Sequence, residues 1–394
     1  MGIGGGSGTS VSLPDVPIRL TARTMRILTR RRRGSGGPAT STTLARIRSA
    51  LARPGLLIAL AVGLALAVAG CGGAGSTASG SGDAGKAHAR QRAALTAARR
   101  RRADAATPLR FAYRPLYALP AALRDPAFAA VGAGRFALLG GLDAADSSVA
   151  GIELAGLHGI DGTGALPGAQ HDAQAAALGG RVFVFGGGDF TEYDHILGYD
   201  PASGAVTPAG ALPSAQSDVA VTRSGATAYI VGGYDGTNWL TTIVAWRPGS
   251  GTRVVGRLPV GLRYAAVAVA RGSLVVVGGS TPTGASDAVY RFDLRTHLVS
   301  RIGRLPDPVT HAGAATLGAF VYLVGGRSDV LDAQTAQVWS IDPATGRVRP
   351  AGRLPTPVSD AAVLTLGHAI VVAGGQSPTA TQSAVGELVP VGFG

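Results

Sequence analysis

From about residue 109 to the C-terminus, short apolar runs alternate with Gly, Pro, Asp and Ser. Runs of this length, cut off by turn formers, predict β-hairpins rather than helices. One stretch contains four of them in close succession, at residues 219–222, 228–231, 242–246 and 253–255. The pattern then repeats. An apolar run closed by a glycine pair recurs at Gly140-Gly141, Gly186-Gly187, Gly232-Gly233, Gly278-Gly279, Gly325-Gly326 and Gly374-Gly375, in steps of 46, 46, 46, 47 and 49 residues. A Leu-Pro pair keeps the same beat from Leu119-Pro120 to Leu354-Pro355. Two independent markers in phase define six copies of a four-stranded unit. The last copy ends after three strands, and one spare strand, residues 109–117, precedes the first Leu-Pro. That strand is expected to complete the last unit and so remove an open sheet edge.

Ala228-Tyr229-Ile230-Val231-Gly232-Gly233-Tyr234-Asp235-Gly236-Thr237-Asn238-Trp239-Leu240 resembles the second strand, glycine pair and loop of a Kelch repeat. Val338-Trp339-Ser340-Ile341-Asp342-Pro343 and Ile196-Leu197-Gly198-Tyr199-Asp200-Pro201 resemble its third strand and turn. The tryptophan that usually opens the fourth strand is missing; Val206, Val254, Val299 and Val348 lie near that place. The resemblance covers residues 109–394 and marks a divergent relative. It implies an all-β fold, a six-bladed Kelch-like β-propeller with four strands per blade, its last blade closed by the N-terminal strand. The propeller is expected to be monomeric.

The N-terminal part follows a different pattern. Residues 1–54 are rich in Gly, Ser, Thr and Arg, with four arginines at positions 30–33, and are expected to be a disordered basic leader. Residues 55–71 hold an uncharged apolar run, expected to be helical, of about signal-peptide length and short of the ~20 residues of a spanning helix. The run ends in Val68-Ala69-Gly70-Cys71, which resembles a bacterial lipobox and implies lipid attachment at Cys71. The alternative is an uncleaved membrane helix. Either way the following domain is expected outside the cytoplasm, held at the cell membrane, because the arginines stay inside. Residues 72–108, first Gly/Ser-rich and then Ala/Arg-rich, read as a flexible linker. Met25 is a second plausible start.

Charge sharpens this division. Residues 1–110 carry 18 Lys+Arg against 3 Asp, and residues 111–394 carry 18 Arg against 20 Asp+Glu, so balances of +15 and −2 make up the net +13. The repeat domain therefore has no electrostatic footprint for nucleic acid. Cys71 is the one cysteine, which excludes a disulfide, a Cys zinc site and a Cys nucleophile in the repeats. No metal or cofactor motif occurs, and no cofactor is expected.

Candidate chemistry recurs with the repeat. Five or six residues after each Leu-Pro stand Arg124/Asp125, His171/Asp172, Ser217/Asp218, Arg263/Tyr264, Thr310/His311 and Ser359/Asp360. They are expected to ring the channel mouth. The recurring aspartates read as fold requirements that bond amides of the neighbouring blade. Arg124, His171, Arg263, Tyr264 and His311 break the repeat and are ligand-binding candidates. Loops after the glycine pairs add Tyr193, Tyr234, Asp235, Asn238 and Trp239, a set suited to stacking on sugars or anchoring a protein. The expected role is an envelope-anchored binding module for a glycan, wall polymer or protein. The alternative is acid–base chemistry on a sugar, of the mutarotase or epimerase type that the Kelch resemblance also allows, with no catalytic residue assigned.

Overall fold

The computed structural model describes residues 107–132, 134–330 and 333–392. The leader, the apolar segment with Cys71 and nearly all of the linker lie outside the described residues. Among the described residues every regular element is a β-strand, and no helix long and apolar enough to cross a membrane occurs.

The strands form six four-stranded antiparallel sheets, with two small ribbons in the loops. Three sheets are runs of four consecutive strands, and in two more the ribbon strands come between the second and third. The sixth joins Ala362–Leu366, Ala369–Ala373 and Ala384–Val391 to the N-terminal strand Arg110–Ala118. In that last pairing Arg110 faces Val391 and Ala118 faces Ala384. The first strands of the sheets are Ala127–Val131, Gln174–Leu178, Ala220–Ser224, Ala266–Ala270, Gly313–Leu317 and Ala362–Leu366. They lie side by side in that order, and the last also packs against the first. Ala and Val dominate them (AFAAV, AVAVA), as converging strands with little lateral room require. The second strands are nearly continuous apolar runs; Ser273–Val277 is buried along its whole length. Such strands are covered on both faces.

Six apolar clusters fill the spaces between neighbouring sheets. Leu154, Val184 and Tyr199 join sheets one and two. Phe185, Ile230 and Trp246 join two and three. Phe136, Leu138, Leu364 and Val371 join one and six. The third strand of each of the first five sheets carries a register shift against the outer strand, as at Ile243/Val244, and the N-terminal strand carries one at Pro115/Tyr117. Repeated bulges deepen the twist that lets flat sheets splay outward.

The glycine pairs have a geometric cause. At Gly278-Gly279 the backbone is left-handed at both residues, with φ of 64° and 94°. A Cβ on Gly278 would fall on the Val309 carbonyl oxygen of the link to the next sheet. That oxygen accepts the Gly279 N–H at 2.9 Å. The same bond recurs between every glycine pair and the next link, ending with Gly375 N–H to Leu123 O at 2.8 Å. Only glycine allows both the approach and the positive φ.

Candidate functional site

Each sheet opens with a link running from its Leu-Pro pair to its first strand, and the six links gather at one end of a channel between the first strands. The second polar residue of each link, Asp125, Asp172, Asp218, Tyr264, His311 and Asp360, has φ between 50° and 58°. Their main chains are stitched together: Asp218 N–H donates to Asp172 O at 2.9 Å, Tyr264 to Asp218 at 3.0 Å, His311 to Tyr264 at 3.2 Å, Asp360 to His311 at 3.0 Å and Asp125 to Asp360 at 2.8 Å. Asp and His tolerate the left-handed region better than most residues, and a bulky Tyr does not, so Tyr264 is the outlier.

This belt corrects one expectation. The links are held by amide-to-carbonyl bonds, and the aspartate carboxyls face the channel instead. They line a cavity of about 650 Å³, solvent at its mouth included, together with Tyr264 and His311. Deeper, the wall becomes apolar, with Phe128, Val221 and Val267.

Electrostatics at the mouth are set first by burial and then by carboxyl crowding. Burial, followed by the charges of Asp172 and Asp360, holds Asp125 well above the ordinary carboxyl range. Burial and then Asp172 push Asp218 up to about 7, with Arg263 pulling the other way. Burial lowers His311, against the pull of Asp360 and Asp172. Tyr264 is raised, first by burial and then by Asp172 and Asp218. Its ring stacks on His311 at 3.8 Å and its hydroxyl donates to Asp172 Oδ2 at 3.2 Å, across the channel. The phenol thus partly bridges the mouth.

Arg263 connects this mouth to the loops. Its Nε donates to buried Asp218, and its guanidinium lies 4.2 Å from the Tyr234 ring centre, 5.4 Å from that of Trp239 and 5.3 Å from that of Tyr264. Tyr234 and Trp239 meet edge to face at 5.2 Å. Both are partly exposed. Trp239 also crowds Gly261 in the link to the fourth sheet, where a side chain would strike its carbonyl.

The other candidates are placed differently. Asp235 Oδ1 accepts the N–H groups of Thr237 and Asn238, at 3.0 and 2.6 Å, and these bonds keep its pKa low. Asp235 and Asn238 therefore shape the loop. Arg124 is drawn outward to exposed Asp146 at 2.7 Å. His171 Nδ1 lies 2.9 Å from Ser148 Oγ, which donates to Asp189 at 2.7 Å. Tyr193 stacks obliquely on His195, whose Nε2 lies 2.8 Å from Gln170 Oε1. Burial lowers the His195 pKa. Ser148 could not be picked out from the sequence because it does not repeat; its nearness to His171 exists only once the first and second sheets are adjacent. Phe190, beside Asp189, is 96% exposed. Among the described residues no group of three or more His, Cys, Asp or Glu is placed to hold a metal ion.

The Kelch motif matches residues 261–306, which span the link and strands of the fourth sheet. Among solved structures, that of YjhT is similar to 70% of this chain and 97% of its own, at 16% identity and a TM-score of 0.61. No curated protein sequence matches the chain. The motif, the structural neighbour and the repeated four-stranded sheets together support a Kelch-repeat propeller.

Proposed function

We propose that the chain is an extracytoplasmic binding module, tethered at the cell membrane through Cys71, whose six sheets are the blades of one closed propeller. Closure is supported by the packing of the sixth sheet on the first and by the Asp125–Asp360 main-chain bond. The ring presents its mouth, with the surrounding loops, to a glycan or protein of the envelope. The observation that carries this reading is the Arg263 assembly. A guanidinium fixed by Asp218 and stacked among Tyr234, Trp239 and Tyr264 gives a rigid, partly exposed aromatic surface beside a polar cavity. Rigid aromatics and a desolvated arginine are the groups that carry binding energy.

Two experiments test the reading. Cells given globomycin should accumulate the unprocessed chain, and lipid label should map to Cys71; an unlabelled full-length protein refutes the lipid tether. Binding to envelope glycans and extracts should fall at least tenfold in Trp239→Ala, and unchanged binding refutes the loop-face assignment.

A second reading is favoured by one observation. A carboxyl with a pKa of about 7, Asp218, lies in the same cavity as Tyr264 and Asp172, as acid–base work on a sugar requires. Anomer interconversion followed by NMR, abolished in Asp218→Asn with binding retained, would favour it over simple binding.

A further inference from the structure

At the end of the sheets away from the links, the surface changes sign. Sheets three, four and five each make two hairpin turns there, one between strands one and two and one between strands three and four. These turns and the strand ends beside them, residues 223–228, 246–253, 270–273, 292–299, 317–320 and 341–349, hold seven arginines against two acids, Asp293 and Asp342. All seven arginines are exposed. Both acids are engaged with their own turns. Asp293 Oδ1 accepts the N–H groups of Arg295 and Thr296 at 3.0 and 2.8 Å, and Asp342 accepts the Ala344 N–H at 2.9 Å and the Thr345 hydroxyl at 2.8 Å. At the mouth end the six links and the six loops after the glycine pairs hold fourteen Asp and Glu against three arginines. The two ends thus carry opposite charge.

Apolar side chains are displayed among these arginines. Leu298 is 69% exposed and Val254 41%, two of the five large apolar side chains exposed among the described residues. They belong to one surface. The Phe292 ring lies against Gly256 in the outer strand of sheet three, two residues from Val254, and stacks on His297 beside Leu298. The Gly346 turn of sheet five, next to Arg347, lies against Ile302 in the outer strand of sheet four. A single exposed aliphatic residue needs no account, but two set within a band of one-signed charge mark an interaction surface.

The pairing of charge and apolar area selects the partner. A soluble polyanion would meet the arginines and leave Leu298 in water. An anionic bilayer covers both, since its phosphates meet guanidinium groups and its interface takes aliphatic side chains. The same surface repels the acidic mouth end. We propose that the turn end of sheets three to five docks on an anionic lipid surface, with Arg253, Arg295 and Arg347 on headgroup phosphates and Leu298 in the interface. This goes beyond the binding reading above and rests on its tether only to bring the domain to a membrane.

The experiment is hydroxyl-radical footprinting of the purified full chain with vesicles of phosphatidylcholine alone and of an equimolar mixture with phosphatidylglycerol. Leu298 oxidation should fall at least fivefold on the anionic vesicles relative to the neutral ones, while Phe190, exposed at the mouth end, keeps its rate on both. High salt should restore Leu298 oxidation, because the attraction is screened. The triple variant Arg253→Glu, Arg295→Glu, Arg347→Glu should lose the protection. A matched variant, Arg257→Glu, Arg304→Glu, Arg353→Glu, makes the same charge change at the mouth ends of the outer strands of the same sheets and should keep it. Equal Leu298 oxidation on both vesicles, protection lost in both triple variants, or protection by soluble polyphosphate but not by lipid overturns the proposal. Flotation with the neutral vesicles reports the anchor separately: a chain left unbound there refutes the tether, and the anionic footprint still decides the docking.

Discussion

Replacing Gly278 by alanine should destabilise the propeller far more than replacing Gly272 by alanine, although both glycines are left-handed and lie in the same sheet. Their φ angles are 64° and 73°. Each variant pays the conformational cost of a Cβ in that region, roughly 1–2 kcal/mol. For Gly272 nothing lies within 4 Å of the new carbon, so the cost stops there. For Gly278 the carbon falls on Val309 O, the acceptor of the Gly279 N–H in the next link. Relief of the overlap breaks that bond and leaves buried groups unpaired, a further 1–3 kcal/mol or so. At about 2–4 °C per kcal/mol for a domain somewhat smaller than this one, Gly278→Ala should melt roughly 2–12 °C below Gly272→Ala. Scanning calorimetry of both variants, with urea midpoints as a second measure, gives the comparison. Equal losses in the two would refute the claim that close approach between sheets, rather than turn conformation, fixes the glycine pairs.

Arg114→Met should cost about 1–3 kcal/mol, because it leaves the Glu387 carboxylate, 3% exposed, without its partner on the N-terminal strand. Adding Glu387→Gln should recover much of that in urea melts, and a double variant as weak as the single would count against a buried ion pair joining this strand to the last sheet. Asp125 holds its proton in the fold to a pH well above its ordinary 3.8, whereas the unfolded chain releases it near that value. The fold then binds more protons than the unfolded chain, so this group erodes stability as pH rises from about 4 through its raised folded value. Asp125→Asn should therefore gain on the wild type in urea midpoints at pH 8 relative to pH 4.5, and an identical difference at both would refute the assignment.

The repeat was legible because its cause is local. Strand lengths, the glycine pairs and the Leu-Pro pairs follow from turn chemistry and from approaches that every unit must make, so they recur in print at steps of 46 to 49 residues. The third-unit strands read from the sequence at 219–222 and 228–231 appear as Ala220–Ser224 and Thr227–Val231, a shift of one or two residues. The polar position after each Leu-Pro was legible for the same reason. What each side chain does there was not. Whether a carboxyl bonds a neighbouring amide or faces the channel depends on a left-handed φ set by the belt between links, and no single unit contains both partners of that bond. Trp239 was legible as a loop aromatic, but not its contact with Arg263, which arrives from the next unit to lie against it. The Ser148–His171 contact likewise joins two units.

The belt also explains why chemistry concentrates at these six positions. Its five bonds draw only on backbone conformation, N–H and carbonyl groups, and use no side chain of the links. Aspartate is a cheap occupant, since short polar residues tolerate the left-handed region, and four of the six links carry it. Tyr264 is an expensive one, and the fold gains nothing from that expense that Asp would not give. What Tyr264 adds is reach: its hydroxyl touches Asp172, two links away, and its ring covers His311. Strain accepted at one of six equivalent places, where the others show the relaxed solution, marks a residue that does something other than join the links. The departure from repetition is thus itself a signal, readable only against the five positions that keep the same backbone with smaller side chains.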